Sequence, residues 1–283
     1  MSVFMIACLQ NTAARDTEPT LAALGDMVRR ARDRGAALIA APEVCSYLEP
    51  RRRLVLEKAE PQDRHQGLAA FREWARETGA WLLAGSMVTR IEGEQRLANR
   101  SYLVDPDGQI AATYDKIHMF DVDIGEGDRY RESHTYRPGE SAVTVATPLA
   151  VLGLTICYDM RFPALYRALA QAGAEVITVP SAFTVPTGRA HWHVLLRSRA
   201  IETGCFIVAP AQVGEHAEGR RTYGHSLIVA PWGEVLADGG DVPGIVTAEI
   251  DTARVAEARA RVPALSGDRP FDLPHVLLEL AAE

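Results

Sequence analysis

Cys157, in the stretch Leu152-Gly-Leu-Thr-Ile-Cys-Tyr-Asp-Met-Arg-Phe-Pro163, is the side chain of this sequence best placed to do chemistry. The first half of the stretch is apolar and β-branched and reads as a buried strand. Pro163 suits the first turn of a helix, because the N–H it lacks would have had no partner there. The thiol therefore stands where a strand gives way to a turn, a rigid position open to a crevice in α/β proteins. A thiolate there is a nucleophile, and backbone N–H groups of the turn can hold an oxyanion beside it. The plain alternative is a buried core cysteine.

Two further residues occupy the same kind of position. Glu43 follows the apolar run 36–41 and Pro42, and a partly buried carboxylate has a raised pKa that suits a general base near neutral pH. Its alternative is a loop glutamate paired with Arg51, Arg52 or Arg53. Lys116 follows an expected strand at 109–114; an ammonium aimed into a pocket stabilises an oxyanion and a neighbouring thiolate. Its alternative is an exposed lysine paired with Asp115. Thiol, base and cation at the C-terminal ends of three strands are the minimum set for acyl transfer through a thioester.

The elements that must carry these residues alternate from the start. Strands are predicted at residues 3–10, 36–41, 81–90, 97–104, 109–114, 142–146, 151–157, 175–179, 206–210, 225–230, 235–237 and 244–250. Helices are predicted at 17–34, 63–79, 164–173, 190–204 and 251–261. Asp105-Pro-Asp-Gly108 marks a hairpin. A polar loop runs on from residue 121 to Gly139, and residues 214–221 read as a charged, solvated loop. No repeat or linker divides the chain, so a single domain over 1–283 is expected. Hairpins mixed with βα units predict two sheets that are not purely parallel, face to face, with helices outside them.

Ala41-Pro-Glu43, Tyr114-Asp-Lys-Ile-His-Met-Phe-Asp121 and Gly153-Leu-Thr-Ile-Cys-Tyr-Asp-Met-Arg-Phe-Pro163 resemble the three catalytic blocks of the nitrilase superfamily of carbon–nitrogen hydrolases. The similarity continues through Tyr130-Arg-Glu-Ser133, Arg137-Pro-Gly-Glu140, Pro180-Ser-Ala-Phe183, Ala190-His-Trp192, Tyr223-Gly-His-Ser226 and Pro231-Trp-Gly-Glu234, in order over nearly the whole chain. It implies a four-layer αββα sandwich, usually a homodimer, with a Glu-Lys-Cys triad on Glu43, Lys116 and Cys157. It implies no metal and no organic cofactor. The superfamily's second active-site glutamate falls on Glu132, expected near Lys116 to orient it or the substrate. Lys116 and the N–H of Tyr158 would hold the oxyanion. Arg161, the main chain at Phe183, and Thr187 would grip a substrate carboxylate. Asp115, where relatives commonly carry a basic residue, and Arg189, where many have proline, depart from the pattern.

Within the superfamily the resemblance is nearest to amidases of deaminated glutathione, with the ω-amidases of α-ketoglutaramate next. The expected activity is hydrolysis of a small carboxylate-bearing amide by water. Arg220 and Arg221 are expected to meet the carboxylates of a peptide-like leaving group. The competing readings are a binding protein on the same fold, or a thiol sensor pairing Cys45 with Cys157.

Composition narrows the partners. The 283 residues are 47% hydrophobic and 24% charged, with a net charge of −7, which disfavours nucleic acid and anionic membranes. No apolar run approaches the ~20 residues of a membrane span, and the N-terminus lacks a signal-peptide pattern. Cys8, Cys45, Cys157 and Cys205 lie far apart, which suits a reduced, cytoplasmic protein. His191 and His193, two apart on a helix, do not share a face, and His118, His134 and His225 have no metal-ligand spacing.

Overall fold

Along β1 (Val3–Gln10) the side chains divide by parity, and that division builds the molecule. Phe4, Ile6 and Cys8 enter one apolar cluster, Ala7 and Leu9 another, because successive side chains of a strand point to opposite faces. In the computed structural model, which describes residues 2–124 and 129–272, the chain continues through α1 (Thr17–Asp33), β2 (Ala36–Ala40), α2 (Arg52–Lys58), β3 (Glu60–Pro61), α3 (Gln66–Thr78), β4 (Trp81–Arg90), β5 (Leu97–Val104) and β6 (Ile110–Asp115). It then forms β7 (Asp121–Asp123), β8 (Arg129–Arg131), β9 (Val143–Ala146), β10 (Val151–Leu154), α4 (Pro163–Gln171), β11 (Val176–Thr178), α5 (Val185–Thr203) and β12 (Phe206–Ala209). The last elements are β13 (Val213–Glu215), β14 (Arg221–Tyr223), β15 (Leu227–Val229), β16 (Val235–Asp238), β17 (Gly244–Asp251) and α6 (Ala253–Arg261).

The first sheet has the order β17-β1-β2-β4-β5-β6, with β3 beside β4; the second has the order β16-β15-β12-β11-β10-β9. Each is mixed. Parallel pairs β1/β2 and β2/β4 sit beside antiparallel β4/β5 and β5/β6 in the first. In the second, parallel β10/β11 and β11/β12 are flanked by antiparallel β9 and β15.

One face of the first sheet packs under α1 and α3, through Leu24, Val28, Phe71 and Trp74. Its other face, including Ile6, Leu38, Leu83 and Leu103, meets Leu152, Leu154, Val176 and Ile207 of the second sheet. The same cluster runs on beneath α4 and α5, to Tyr166, Leu169, Trp192 and Leu196. The layers are therefore helix, sheet, sheet, helix, as the sequence leads one to expect. Among the described residues no helix is long and apolar enough to cross a membrane.

Four expectations need correcting, each for a physical reason. The strand before Cys157 stops at Leu154, and Cys157–Arg161 is a 3-10 turn. The helix expected from residue 190 begins at Val185, because Pro186 falls in its first turn, where proline is tolerated. Thr187 is thus helical and not in a loop. Gly188, which looks like a breaker, lies against Tyr223, where a Cβ would come within 2.3 Å of the ring. The polar stretch before Gly139 holds its own hairpin, β7 with β8, and the 3-10 turn Glu132–His134. The charged loop at 214–221 is likewise largely a hairpin, β13 with β14.

Candidate active site

Glu43 is held by the chain's departure from β2. Ala41 still donates to Leu83 O at 2.9 Å, after which Cys45 N–H binds Ser86 O at 3.0 Å and Val44 N–H binds Ser86 Oγ at 2.9 Å. The register of β4 slips between Ala84 and Met87 to make this possible. A side chain at Gly85 would put its Cβ 1.8 Å from Ala41 O, so only glycine allows the two segments to approach. Lys116 leaves the end of β6 by donating its N–H to Asn99 O at 3.0 Å. Asp115 beside it turns the other way, gripping Arg100 at 2.6 and 2.9 Å.

Cys157 comes from the second sheet. Its N–H donates to Pro180 O at 3.0 Å, and its φ is +49°, a left-handed conformation that a non-glycine residue adopts only when its surroundings impose it. Asp159, fully buried, does the imposing. One of its oxygens accepts Ile156 N–H at 2.9 Å and Tyr114 Oη–H at 2.7 Å. The other accepts His118 N–H at 3.0 Å and lies 2.7 Å from His118 Nδ1. Tyr114 and His118 flank Lys116, so one carboxylate ties the nucleophile's turn to the lysine's segment.

These elements bring the polar groups into contact. Lys116 Nζ donates to Glu43 Oε1 at 2.8 Å and to Glu132 Oε1 and Oε2 at 3.0 and 2.9 Å. Asn99 Nδ2 bridges the same carboxylates, 2.9 Å from Glu43 Oε1 and 3.2 Å from Glu132 Oε1. Glu43 Oε2 accepts Ala182 N–H at 2.9 Å, and Glu132 Oε2 accepts Phe120 N–H at 2.6 Å. The Cys157 thiol shares the cavity wall with Glu43 and Lys116 and feels the charge of both.

Burial and charge together set the resting protonation. For Lys116, burial works toward a lower pKa, but Glu132 and Glu43 outweigh it and hold the ammonium well above its usual value. For Glu43, burial works upward and is overcome by Lys116, so the carboxyl lies below its ordinary range. Burial, reinforced by the negative charge of Glu43, pushes the Cys157 thiol up. The resting site is a neutral thiol beside an ionised carboxylate and an ammonium. Glu43 is thus ionised because of Lys116; burial alone, the cue for a raised pKa in the sequence, does not prevail.

A cavity of about 320 Å³ opens over this cluster, within the range of small-molecule sites. Cys157, Tyr158, Phe183 and Thr187 are in its walls. Tyr158 is the second residue of its turn, where an N–H has no acceptor within the turn. Arg161 is not in the wall: its guanidinium lies 5.8 and 5.6 Å from the ring centres of Tyr158 and Phe183 and 3.1 Å from His191 Nδ1. Arg220 is in the wall, and it also borders a groove shared with Arg221.

The carbon–nitrogen hydrolase family model matches residues 5–260. The chain belongs to the carbon–nitrogen hydrolase family. This carbon–nitrogen hydrolase is 40% identical over 267 residues to a deaminated glutathione amidase of Yersinia enterocolitica, covering 93% of this chain and 92% of that one. It is 41% identical over 270 residues to the deaminated glutathione amidase of Homo sapiens, over 94% of this chain and 82% of the other. The crystal structure of Saccharomyces cerevisiae Nit3, a member of branch 10 of the nitrilase superfamily, superposes with a TM-score of 0.86 at 27% identity, covering 95% of this chain and 97% of that one.

Three contributors were not singled out as such from the sequence. A buried asparagine amid the apolar residues of β5 is itself a signal, since strands are depleted in Asn, yet nothing in the sequence shows that Asn99 faces two glutamates. Asp159 stands in the nucleophile's motif without any spacing that reveals its partners. The N–H of Ala182 has no signature of side-chain type at all.

Proposed function

We propose that this carbon–nitrogen hydrolase is an amidase acting through a thioester on Cys157, with deaminated glutathione as its substrate. The observation that carries the reading is the convergence of Cys157, Glu43 and Lys116 in the wall of one cavity, with Lys116 Nζ 2.8 Å from Glu43 Oε1. Glu43 takes the thiol proton as sulfur attacks the amide carbon. The developing oxyanion meets Lys116 Nζ and the N–H of Tyr158. Glu43 then protonates the departing nitrogen, the C–N bond breaks, and an S-acyl enzyme remains. Water, its proton taken by Glu43, attacks that carbonyl; the carboxylic acid leaves and the thiol regains its proton. Glu132 and Asn99 hold Lys116 and Glu43 in place. The reading includes a homodimer in the cytoplasm, with no metal or cofactor in the reaction.

The sensor reading is disfavoured by Cys45, which is buried in the cluster under α1 and α3, on the far face of the first sheet from the cluster containing Cys157. Burial also pushes its thiol up to about 12. For the substrate, the relatives' names support deaminated glutathione, and Arg220 in the cavity wall with Arg221 in the adjoining groove support a leaving group with carboxylates. Arg161, behind Tyr158 and Phe183, serves by bracing those rings and adding positive charge.

A direct comparison tests this. Deaminated glutathione releases a peptide, whereas α-ketoglutaramate releases only ammonia. Replacing Arg220 and Arg221 together by glutamine is expected to lower kcat/KM for deaminated glutathione by about 10- to 100-fold, as loss of charged hydrogen bonds worth roughly 1.5–3 kcal/mol requires. Turnover of α-ketoglutaramate is expected to stay unchanged. Equal losses on both would remove these arginines from the site, and a wild-type preference for α-ketoglutaramate would make the enzyme an ω-amidase.

A further inference from the structure

Away from the cavity, three remote segments bring metal-ligating atoms to one point. His193 from α5, His225 from the turn before β15 and Asp238 at the end of β16 offer donor atoms that all lie within 4.8 Å of one another. None of the three lines the catalytic cavity. His193 Nε2 is 2.9 Å from Asp238 Oδ2, and His225 Nδ1 is 2.9 Å from Asp238 Oδ1. The side chains are 35%, 26% and 33% exposed, so an ion and its waters can reach them.

The cluster is held in place by its scaffold. His225 has a φ of +55°, and that unusual conformation is secured on both sides: its N–H donates to Gly240 O at 2.7 Å, and its carbonyl accepts Trp192 Nε1–H at 2.8 Å. Its ring stacks on Tyr223, 4.5 Å away and 25° from parallel. Asp238 Oδ1 is oriented by Gly240 N–H at 2.9 Å. Strain upheld by surrounding bonds at a cluster of ligating side chains is a functional signature.

We infer that His193, His225 and Asp238 form a binding site for a borderline divalent ion such as Zn²⁺, separate from the catalytic centre. Two imidazoles and one carboxylate suit such ions, with water at the remaining position. Donors bound at ~2.0–2.1 Å in a tetrahedron stand about 3.3 Å apart. Measured to the one oxygen Asp238 Oδ2, His193 Nε2 lies at 2.9 Å and His225 Nδ1 at 3.2 Å, and the two imidazole nitrogens lie within 4.8 Å of each other, so small movements of the side chains bring all three to a common ion. On binding, each neutral ring carries its proton on the nitrogen away from the ion, and Asp238 changes from hydrogen-bond acceptor to ligand.

The test is a titration of the chelator-treated, full-length protein with Zn²⁺ by calorimetry, with Co²⁺ as a spectroscopic probe. The expected result is one Zn²⁺ per chain, with affinity reduced at least 100-fold in His193→Ala and in Asp238→Asn. Cobalt is expected to give visible d–d bands without thiolate-to-metal charge transfer, unchanged in Cys157→Ala. Equal zinc affinity in wild type and His193→Ala, or a cobalt spectrum with charge-transfer bands that Cys157→Ala removes, overturns the site.

Discussion

Replacement of Cys157 by alanine is expected to abolish amide hydrolysis in a protein that still folds. In the proposed pathway sulfur bonds directly to the substrate carbon, and among the described residues no other thiol lines the cavity to take its place. The oxyanion site survives the substitution, so a trace of activity over water remains, but kcat is expected to fall by roughly 10⁴-fold or more, as when one member of an interdependent nucleophile–base set is lost. Stability changes little, because alanine meets the same strain as cysteine at a φ of +49° and the removed sulfur is small. Ammonia or amine release, measured beside a thermal melt, decides the matter. Substantial turnover by a folded Cys157→Ala variant ends the thioester mechanism.

Glu132→Gln is expected to be nearly as damaging to kcat, for an electrostatic reason. Lys116 is shared between two carboxylates. Removing the charge of Glu132 leaves the ammonium wholly to Glu43, whose basicity then falls when a proton must be taken from a thiol held protonated by burial. The amide also mismatches the site: both oxygens of Glu132 are acceptors, one from Asn99 and Lys116, the other from Phe120 N–H and Lys116. An NH₂ group at either position faces donors, at about 1–3 kcal/mol of stability. The expected loss in kcat is about 10²- to 10³-fold, the scale of impaired general-base catalysis, with Tm lower by no more than about 10 °C. A Glu132→Gln enzyme with wild-type kcat would show that Glu132 is only a wall of the cavity.

What the sequence made legible was whatever had strong periodicity or a special position along the chain. β1 and β4 are found at their predicted limits, because long apolar or alternating runs bounded by turns have few other readings. Glu43, Lys116 and Cys157 could be picked out as candidates because each follows an apolar strand, where a charge or a reactive thiol is out of place, and the structure brings all three to one cavity. The fold's layers followed from hairpins mixed with crossover units. The seven-residue α2 lacked such cues, and the start of α5 was hidden by Pro186 and Gly188, which signal a break unless Tyr223 is known to press on that glycine. Contacts between distant segments left no mark at all. Asn99 reaching two carboxylates, Asp159 reaching Tyr114 and His118, and His193 meeting His225 and Asp238 are facts of three-dimensional proximity, and linear spacing does not encode them.

The division of the reactive groups between the two sheets has a mechanical consequence. Glu43 and Lys116 issue from the ends of β2 and β6, Cys157 from the end of β10, and side-chain hydrogen bonds of Glu43, Asp159, Gln10 and Gln212 stitch across the seam. Hydrogen-bond geometry tolerates shifts of a few tenths of an ångström, whereas each sheet keeps its own ladder through far larger displacements. Catalysis therefore works as a vernier on the alignment of two slabs. In rising urea, activity is expected to vanish before the far-UV circular dichroism changes, with fluorescence of the buried Trp192, which reports packing under the second sheet, following later. Coincident curves would mean that the slabs never slip, and part only when the whole molecule unfolds.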